Sequence, residues 1–333
     1  MAGSFGTEFM PEMALAQYES DTWGQAALVP SHQLVLHPAS HVLHYASTCF
    51  EGLKAFRHKD GRIALFRSEQ NLARFAQSSA KLVLPPVDQA LLAEMIESLV
   101  VKYKDKCPSP PGSFYIRPTH IGTDPAIGKA AGPSLTSTLF VLLSPVGDYF
   151  AAGESALKLL IDDQNMRCAP DHGCVKGGGN YASALKHIVA AQTKYQANQV
   201  LFCPDGDVQE TGAANFMLIQ GNELITKPLD ESFLHGVTRD SILQLAAQQG
   251  LTVCERQLTV TELLERAKHA DCEAALSGTA AVLASVGALI YNDQELKVGT
   301  GKPGERVRAL RTALNELQWG ERADDFGWLR FIA

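Results

Sequence analysis

The segment Lys176-Gly-Gly-Gly-Asn-Tyr181 places a lysine ahead of three glycines and then opens an apolar-periodic run. Glycines let the backbone come close to a ligand, and a helix start adds positive potential, so an amine here could meet an anionic partner. On spacing alone a solvated lysine on a turn is an equal reading. The order of a phosphate-binding P-loop, glycine then four residues then Gly-Lys-Ser/Thr, is absent. In Ser113–Thr119, period-two alternation puts Tyr115, Arg117 and Thr119 on one face and Phe114 and Ile116 on the other. A tyrosine and an arginine side by side suit a carboxylate. Glu210 follows a turn signal at Asp205-Gly206, and as a lone residue it reads as a surface strand glutamate. Val237 and Thr238 begin a helix, where N–H groups and a hydroxyl favour an anion, and Thr279 lies in a Gly-Thr turn of similar use.

These residues need elements to hold them. Arg62–Arg67 reads as a strand, and Ser68 is expected to cap a helix bearing Leu72, Phe75 and Ala76 on one face. A second helix is expected over Gln89–Lys104, ended by the proline-rich Cys107–Gly112. Strands are expected over Ser113–Gly122, Thr138–Val146 and Ala156–Ile161. Asn180 is expected to cap the helix after the glycines, with Tyr181, Leu185, Ile188 and Val189 as its apolar face. Gly221-Asn222 marks a hairpin. Thr238 to Gly250 reads as a helix, Thr259-x-x-Glu262 as a capping box, and a last helix follows Pro303. Strands and helices alternate irregularly, which predicts a mixed α/β (α+β) enzyme and not a doubly wound parallel sheet.

The chain has 333 residues, room for two domains, and its apolar and charged fractions are those of a globular protein that folds without disulfide or metal support. The glycine- and proline-containing stretch 146–154 is the expected interdomain loop, between a smaller N-terminal domain, 11–145, and a larger C-terminal domain, 155–333, carrying the lysine. Met1–Met10 reads as a tag remnant or disordered lead. The net charge of −7, with basic residues scattered, argues against a nucleic-acid or anionic-membrane surface. Seven cysteines, an odd number with no Cys-x-x-Cys pair, suggest reduced thiols in the cytoplasm. Cys168, His172 and Cys174 fit no common zinc spacing, and His41-x-x-His44 reads as loop structure, so no metal is expected.

A set of segments in fixed order gives these residues a common meaning. Lys176–Tyr181 resembles the lysine motif of the branched-chain amino-acid aminotransferases, fold-type IV pyridoxal-phosphate enzymes. So do His44–Arg57 (HYASTCFEGLKAFR), Phe114–Gly128 (FYIRPTHIGTDPAIG), Leu142–Phe150 (LLSPVGDYF), Glu210–Phe216 (ETGAANF), Leu234–Asp240 (LHGVTRD) and Ser277–Ala280 (SGTA). The resemblance spans roughly residues 40–330.

It implies a two-domain, fold-type IV architecture and a pyridoxal 5′-phosphate cofactor held as a Schiff base by Lys176, which also moves the substrate proton. Glu210 would pair with the pyridinium nitrogen, Tyr181 would hydrogen-bond the phenolic oxygen, and Leu234 would pack on the ring. Arg74, Val237, Thr238 and Thr279 would hold the phosphate. His235 stands where the family commonly has proline. Tyr45, Phe50 and Tyr149 would line the branched side chain, Tyr115 and Arg117 would serve the substrate, and Gly278, Thr279 and Ala280 would meet the α-carboxylate. The implied reaction is reversible transamination between L-leucine, L-isoleucine or L-valine and 2-oxoglutarate, ping-pong through pyridoxamine phosphate, in a homodimer. A D-amino-acid aminotransferase, an aminodeoxychorismate lyase or a non-catalytic relative would share the fold. Neither related enzyme is expected to combine Phe50-Glu51-Gly52-Leu53-Lys54 with Tyr115-Ile116-Arg117-Pro118. Ala281 and Ala284 stand where some mammalian members carry a redox-active Cys-x-x-Cys pair, which leaves Cys49, beside Phe50, as the first suspect for oxidation.

Overall fold

The structure, a computed structural model, describes residues 5–150 and 153–332. The first four residues of the expected lead segment and residues 151–152 of the expected interdomain loop lie outside them. The chain divides into two units. Unit 1 holds the residues up to Tyr149, Val175–Gly179 and Leu317 onward; unit 2 holds Phe150–Cys174 and Asn180–Glu316.

Unit 1 begins with strands β1 (Glu12–Glu19), β2 (Thr22–Trp23) and β3 (Ala27–Pro30) and the short helix α1 (His41–Tyr45). Strands β4 (Thr48–Phe50), β5 (Leu53–Arg57) and β6 (Ile63–Phe66), helices α2 (Ser68–Lys81) and α3 (Gln89–Lys102), and strands β7 (Ser113–Gly122) and β8 (Ser137–Val146) complete its main body. Helix α2 starts at Ser68 itself. Arg67 precedes it in the left-handed region (φ 48°) and no side chain caps it, so the expected Ser68 cap is not formed. Asp88 does cap α3, accepting from the Ala90 and Leu91 amides at 2.9 and 3.1 Å. The ten-residue strand β7 alternates as its sequence predicts, with Phe114 and Ile116 fully buried against α2 and α3 through Phe75, Leu92, Met95 and Leu99. That leaves Tyr115, Arg117 and Thr119 on the opposite, half-buried face. Residues 5–10, which by sequence read as a lead, join this unit: the Met10 amide bonds the Leu143 carbonyl at 2.8 Å.

Unit 2 runs through β9 (Leu157–Asp162), α4 (Gly178–Tyr195), β10 (Gln199–Phe202), β11 (Glu210–Thr211), β12 (Asn215–Gln220) and β13 (Glu223–Thr226). It continues with α5 (Val237–Gln248), β14 (Thr252–Glu255), α6 (Val260–Ala267), β15 (Glu273–Gly278), β16 (Val282–Tyr291), β17 (Gln294–Lys297) and α7 (Glu305–Gln318). The strand order β11-β10-β9-β16-β15-β12, with β11 also paired to β12, closes a ring of six strands. The closing pair is Glu210 with Asn215. Thr259 accepts from the Glu262 amide at 3.1 Å, as the capping box predicts.

Helix α4 departs from expectation twice. It begins at Gly178, so Asn180 lies inside it and donates to the His172 carbonyl at 2.7 Å instead of capping. Its buried residues are Ala184 and Ala191, while Leu185 and Val189 are about half exposed. Ile188 packs inward with these alanines, while Leu185 and Val189 face outward. The last strand, β18 (Leu329–Phe331), pairs antiparallel with β6 and so returns the chain end to unit 1.

Candidate active site

The peptide of Lys176 is gripped on both sides in unit 1. Its N–H donates to Ser78 Oγ of α2 at 3.1 Å, and its carbonyl accepts from the Phe50 amide of β4 at 3.0 Å. Gly177 forms an antiparallel bridge with Cys49. These tethers explain why Val175–Gly179 belongs to unit 1, although the sequence reading places the lysine in the C-terminal half. The Lys176 ammonium stands 5.1 Å from the Phe50 ring centre.

Glu51, the residue after Phe50, is 1% exposed and binds Arg74 through two contacts, Nε–Oε1 at 2.6 Å and Nη2–Oε2 at 2.8 Å. Asn71 Nδ2 and the Gly52 amide add donors at 2.9 and 3.0 Å. Burial alone would raise the Glu51 carboxyl, but Arg74, then Lys176 and Asn71, hold it below the usual carboxylate range. Arg74, read from sequence as a phosphate ligand, is therefore aimed by a buried carboxylate to which the sequence reading gives no role.

On the half-buried face of β7, Arg117 Nη2 donates to the Tyr115 hydroxyl at 2.9 Å. The Arg117 guanidinium lies 4.7 Å from the Phe50 ring centre and 5.2 Å from that of Tyr115. Its Nε is buried without a hydrogen-bond partner, and no carboxylate pairs with it among the described residues. A half-buried cation set among aromatic rings with no acid beside it is a favourable place for an incoming anion. Gly52 makes room for this arrangement: a Cβ there would sit 2.0 Å from the Tyr115 hydroxyl oxygen. Lys54, the register partner of Tyr115, is pushed down to about 8 by burial, opposed by Asp148. Phe5 sets its ring edge-on to Tyr115 at 4.9 Å and to Tyr149 at 6.5 Å. Sequence reasoning misses it, because residues 1–10 read as a lead outside the fold. Tyr149 is 54% exposed. Tyr45 is turned to other partners, its ring 4.8 Å from His41 and its hydroxyl bonded to the Ile127 carbonyl.

In unit 2, Glu210 is 2% exposed and surrounded by donors. The Leu234 amide donates to Oε1 at 3.0 Å and Asn215 Nδ2 to Oε2 at 3.2 Å, while Arg167 Nε forms an ion pair with Oε1 at 2.7 Å. Cation and donors together stabilise the anion. Sequence reasoning singles out neither Arg167 nor Asn215. Asn215 sits unremarked inside a quoted motif, and a lone arginine carries no local signal of burial. Gly236 permits the Asn215 contacts, since a Cβ there would lie 2.1 Å from Asn215 Oδ1. Gly236 also precedes α5, whose first residues are Val237 and Thr238. The fully buried Arg239 ties that first turn to the Lys227 carbonyl and to Glu255, both at 2.7 Å. His235 bonds the Asp230 carbonyl at 2.7 Å and closes the loop that presents the Leu234 amide. Gly278 ends β15, and Thr279 and Ala280 form the turn to β16. Tyr181 is half-buried in the first turn of α4.

Taken unit by unit, the donors are of the kinds pyridoxal phosphate requires: in unit 1 a lysine with a fixed peptide, and in unit 2 a buried carboxylate among donors and a helix N-terminus with a threonine. Comparison with known proteins agrees. Residues 48–289 match the family model described as Amino-transferase class IV. The chain is 36% identical to branched-chain-amino-acid aminotransferase 2 of Bacillus subtilis, covering 99% of this chain and 92% of that protein. It is 35% identical to the cytosolic branched-chain-amino-acid aminotransferase of Saccharomyces cerevisiae, covering 98% and 91%. Among solved structures, the T.th. branched-chain amino acid aminotransferase with pyridoxamine 5′-phosphate superposes with a TM-score of 0.80 at 25% identity, over 96% of this chain and 98% of that one.

Proposed function

The chain belongs to the class IV amino-transferases, and from that premise we propose how its residues divide the work of a pyridoxal-phosphate enzyme that exchanges amino groups between branched-chain L-amino acids and 2-oxoglutarate. The cofactor, when bound, supplies an electron sink for the carbanion at the substrate α-carbon. Lys176 holds it through the side-chain amine and carries the proton to and from that carbon. Its peptide, fixed by Ser78 and Phe50, limits where the amine can reach. Glu210 faces the ring nitrogen as an anion, and Arg167, Asn215 and the Leu234 amide keep it so. The α5 N-terminus with Val237 and Thr238, together with Thr279 and Arg74, takes the phosphate. Glu51, itself held by Asn71, aims Arg74. Tyr181 donates to the phenolic oxygen, and Leu234 covers the ring. The turn Gly278–Ala280 offers amides to the substrate α-carboxylate.

The observation that carries the substrate reading is Arg117. It is a cation set against the Phe50 and Tyr115 rings, with no acid partner among the described residues. Phe50 and Tyr149 offer apolar surface to a branched side chain, and Arg117 meets the second carboxylate of glutamate or 2-oxoglutarate. Two exposed apolar residues on α4, Leu185 and Val189, support a homodimer, which sedimentation would test. All seven cysteines are free thiols, consistent with a cytoplasmic setting. No helix among the described residues is long and apolar enough to cross a membrane.

The reading is tested on purified protein, following the cofactor spectrum through single half-reactions. L-leucine, L-isoleucine, L-valine and L-glutamate should convert it, and D-alanine should not. Borohydride should attach the cofactor to the peptide containing Lys176. Attachment elsewhere, or conversion by D-alanine alone, overturns the assignment.

A further inference from the structure

A chain of polar side chains crosses the apolar interior of unit 1. Cys49 Sγ lies 3.2 Å from Ser79 Oγ, Ser79 Oγ lies 3.0 Å from His120 Nδ1, and His120 Nε2 lies 2.8 Å from Ser137 Oγ. Cys49 and His120 are 0% exposed, and the two serines 1%. The rings of Trp23 and Phe75 pack around the imidazole. Four buried polar groups in such surroundings are expensive unless each is partnered. Protons can run either way along the chain: the thiol donates to Ser79, Ser79 to Nδ1 and Nε2–H to Ser137, or Ser137 donates to Nε2, Nδ1–H to Ser79 and Ser79 to the sulfur. Both are consistent with a neutral imidazole and a protonated thiol. Burial alone pushes His120 down to about 4. Burial, partly offset by Ser79, pushes Cys49 up to about 12. Cys49, the first suspect for oxidation by sequence, is thus a sealed and unreactive thiol.

The location of this chain matters more than its cost. β4 has three residues. On one side Cys49 is the register partner of His120 on β7; on the other it bridges Gly177. The Cys49 side chain reaches Ser79 of α2, and the adjacent Ser78 holds the Lys176 amide. The two supports of the Lys176 peptide, β4 and α2, are therefore locked to each other and to β7 by one shared hydroxyl, that of Ser79.

We propose that His120, acting through Ser79 and Cys49, is a positioning residue for Lys176. The relay sets the spacing of β4 and α2 and so the reach of the lysine amine. The inference rests on Lys176 being the cofactor lysine.

Three His120 variants and one of Ser79 test it in the holoenzyme. His120→Leu keeps apolar volume but removes both hydrogen bonds. His120→Asn places an acceptor near the Nδ1 position and restores the Ser79 side, whereas His120→Gln reaches toward Ser137. Ser79→Ala cuts the shared hydroxyl and serves if the leucine variant does not fold. In His120→Leu and Ser79→Ala, the midpoint of the cofactor's spectroscopic pH titration should move by about half a pH unit. kcat should fall about ten- to hundredfold, as for a misplaced reacting group, with KM little changed. Asn should recover most of both and Gln should not. An unmoved titration and kcat, with only a lower Tm, would overturn the proposal, as would rescue by Gln but not Asn. Borohydride attachment outside Lys176 in the wild type would instead remove the lysine reading on which it rests.

Discussion

Replacing Arg117 by Met separates the two substrates the enzyme must accept. The change keeps an apolar stem against Phe50 and removes the charge. For leucine, the loss is the hydrogen bond to Tyr115 and the two ring contacts of the guanidinium. A net hydrogen bond is worth about 1 kcal/mol and a cation–π contact roughly 0.5–1 kcal/mol, and the Met stem returns part of the packing. The leucine half-reaction should therefore slow by about 1 kcal/mol in kcat/KM. For glutamate the second carboxylate loses its counter-charge in a half-buried setting. Truncating one member of such a pair costs roughly 2–5 kcal/mol. The difference, about 1–4 kcal/mol, predicts a selectivity shift toward leucine from about fivefold to several hundredfold. Stopped-flow half-reactions with each amino acid at several concentrations measure it directly. Equal losses for the two substrates would mean that Arg117 binds the α-carboxylate common to both or only supports the fold, and the dual-recognition argument would fail.

Glu210→Gln removes the anion while leaving Arg167 buried beside a neutral amide, so proton abstraction should slow by at least about tenfold with a smaller change in substrate affinity; an unchanged single-turnover rate would exclude Glu210 from the ring-nitrogen role. Gly52→Ala should displace the Tyr115 hydroxyl, which a Cβ would meet at 2.0 Å, raising KM for all substrates while the fold persists; a normal KM would show that Tyr115 is not at the substrate. The protein should also lose stability in mild acid. His120 has its proton affinity lowered in the fold, from 6.5 to about 4, so its neutral form stabilises fully above pH about 6.5, and that contribution of about 3 kcal/mol drains away as the pH falls toward 4. Urea unfolding at several pH values should show this slope, and His120→Leu should flatten it within that window; a slope unaltered by the variant would assign it to other groups.

The long periodic elements were legible in the sequence because one face of each is buried: β7 alternates as read, and Val307, Leu310 and Leu314 of α7 are fully buried. The ends of elements were less so. Ser68 and Asn180 are good caps in isolation, yet α2 starts from a left-handed Arg67, and Asn180 is drawn to the His172 carbonyl. In α4 the expected apolar face is met only in part: Ile188 packs with Ala184 and Ala191, while Leu185 and Val189 are exposed because alanines fill much of the inward side. At the candidate site the sequence offers the motif residues but not the side chains that hold them. Glu51, Arg167, Asn215 and Phe5 act through partners far away in sequence or outside the expected fold, and nothing in their local spacing marks them. Glu51 to Arg74 and Arg167 to Glu210 are pairings made only when the chain is folded.

The five residues from Val175 to Gly179 are inserted between stretches of unit 2 yet are hydrogen-bonded into unit 1, and the chain returns to unit 1 again at Leu317. The polypeptide thus passes between the units four times, at 149/150, 174/175, 179/180 and 316/317. No single cut of the gene yields a complete half. A fragment ending near Tyr149 would lack both the lysine loop and the edge strand β18 that pairs with β6, and the complementary fragment would carry the lysine without β4 or α2 to seat it. The two units are interleaved along the chain and so inseparable in inheritance. Swapping unit 1 between relatives would require a graft at four junctions, and a protease nick at 149/150 should leave the fragments associated, the lysine-bearing piece still held to its cleaved partner through Ser78 and Phe50.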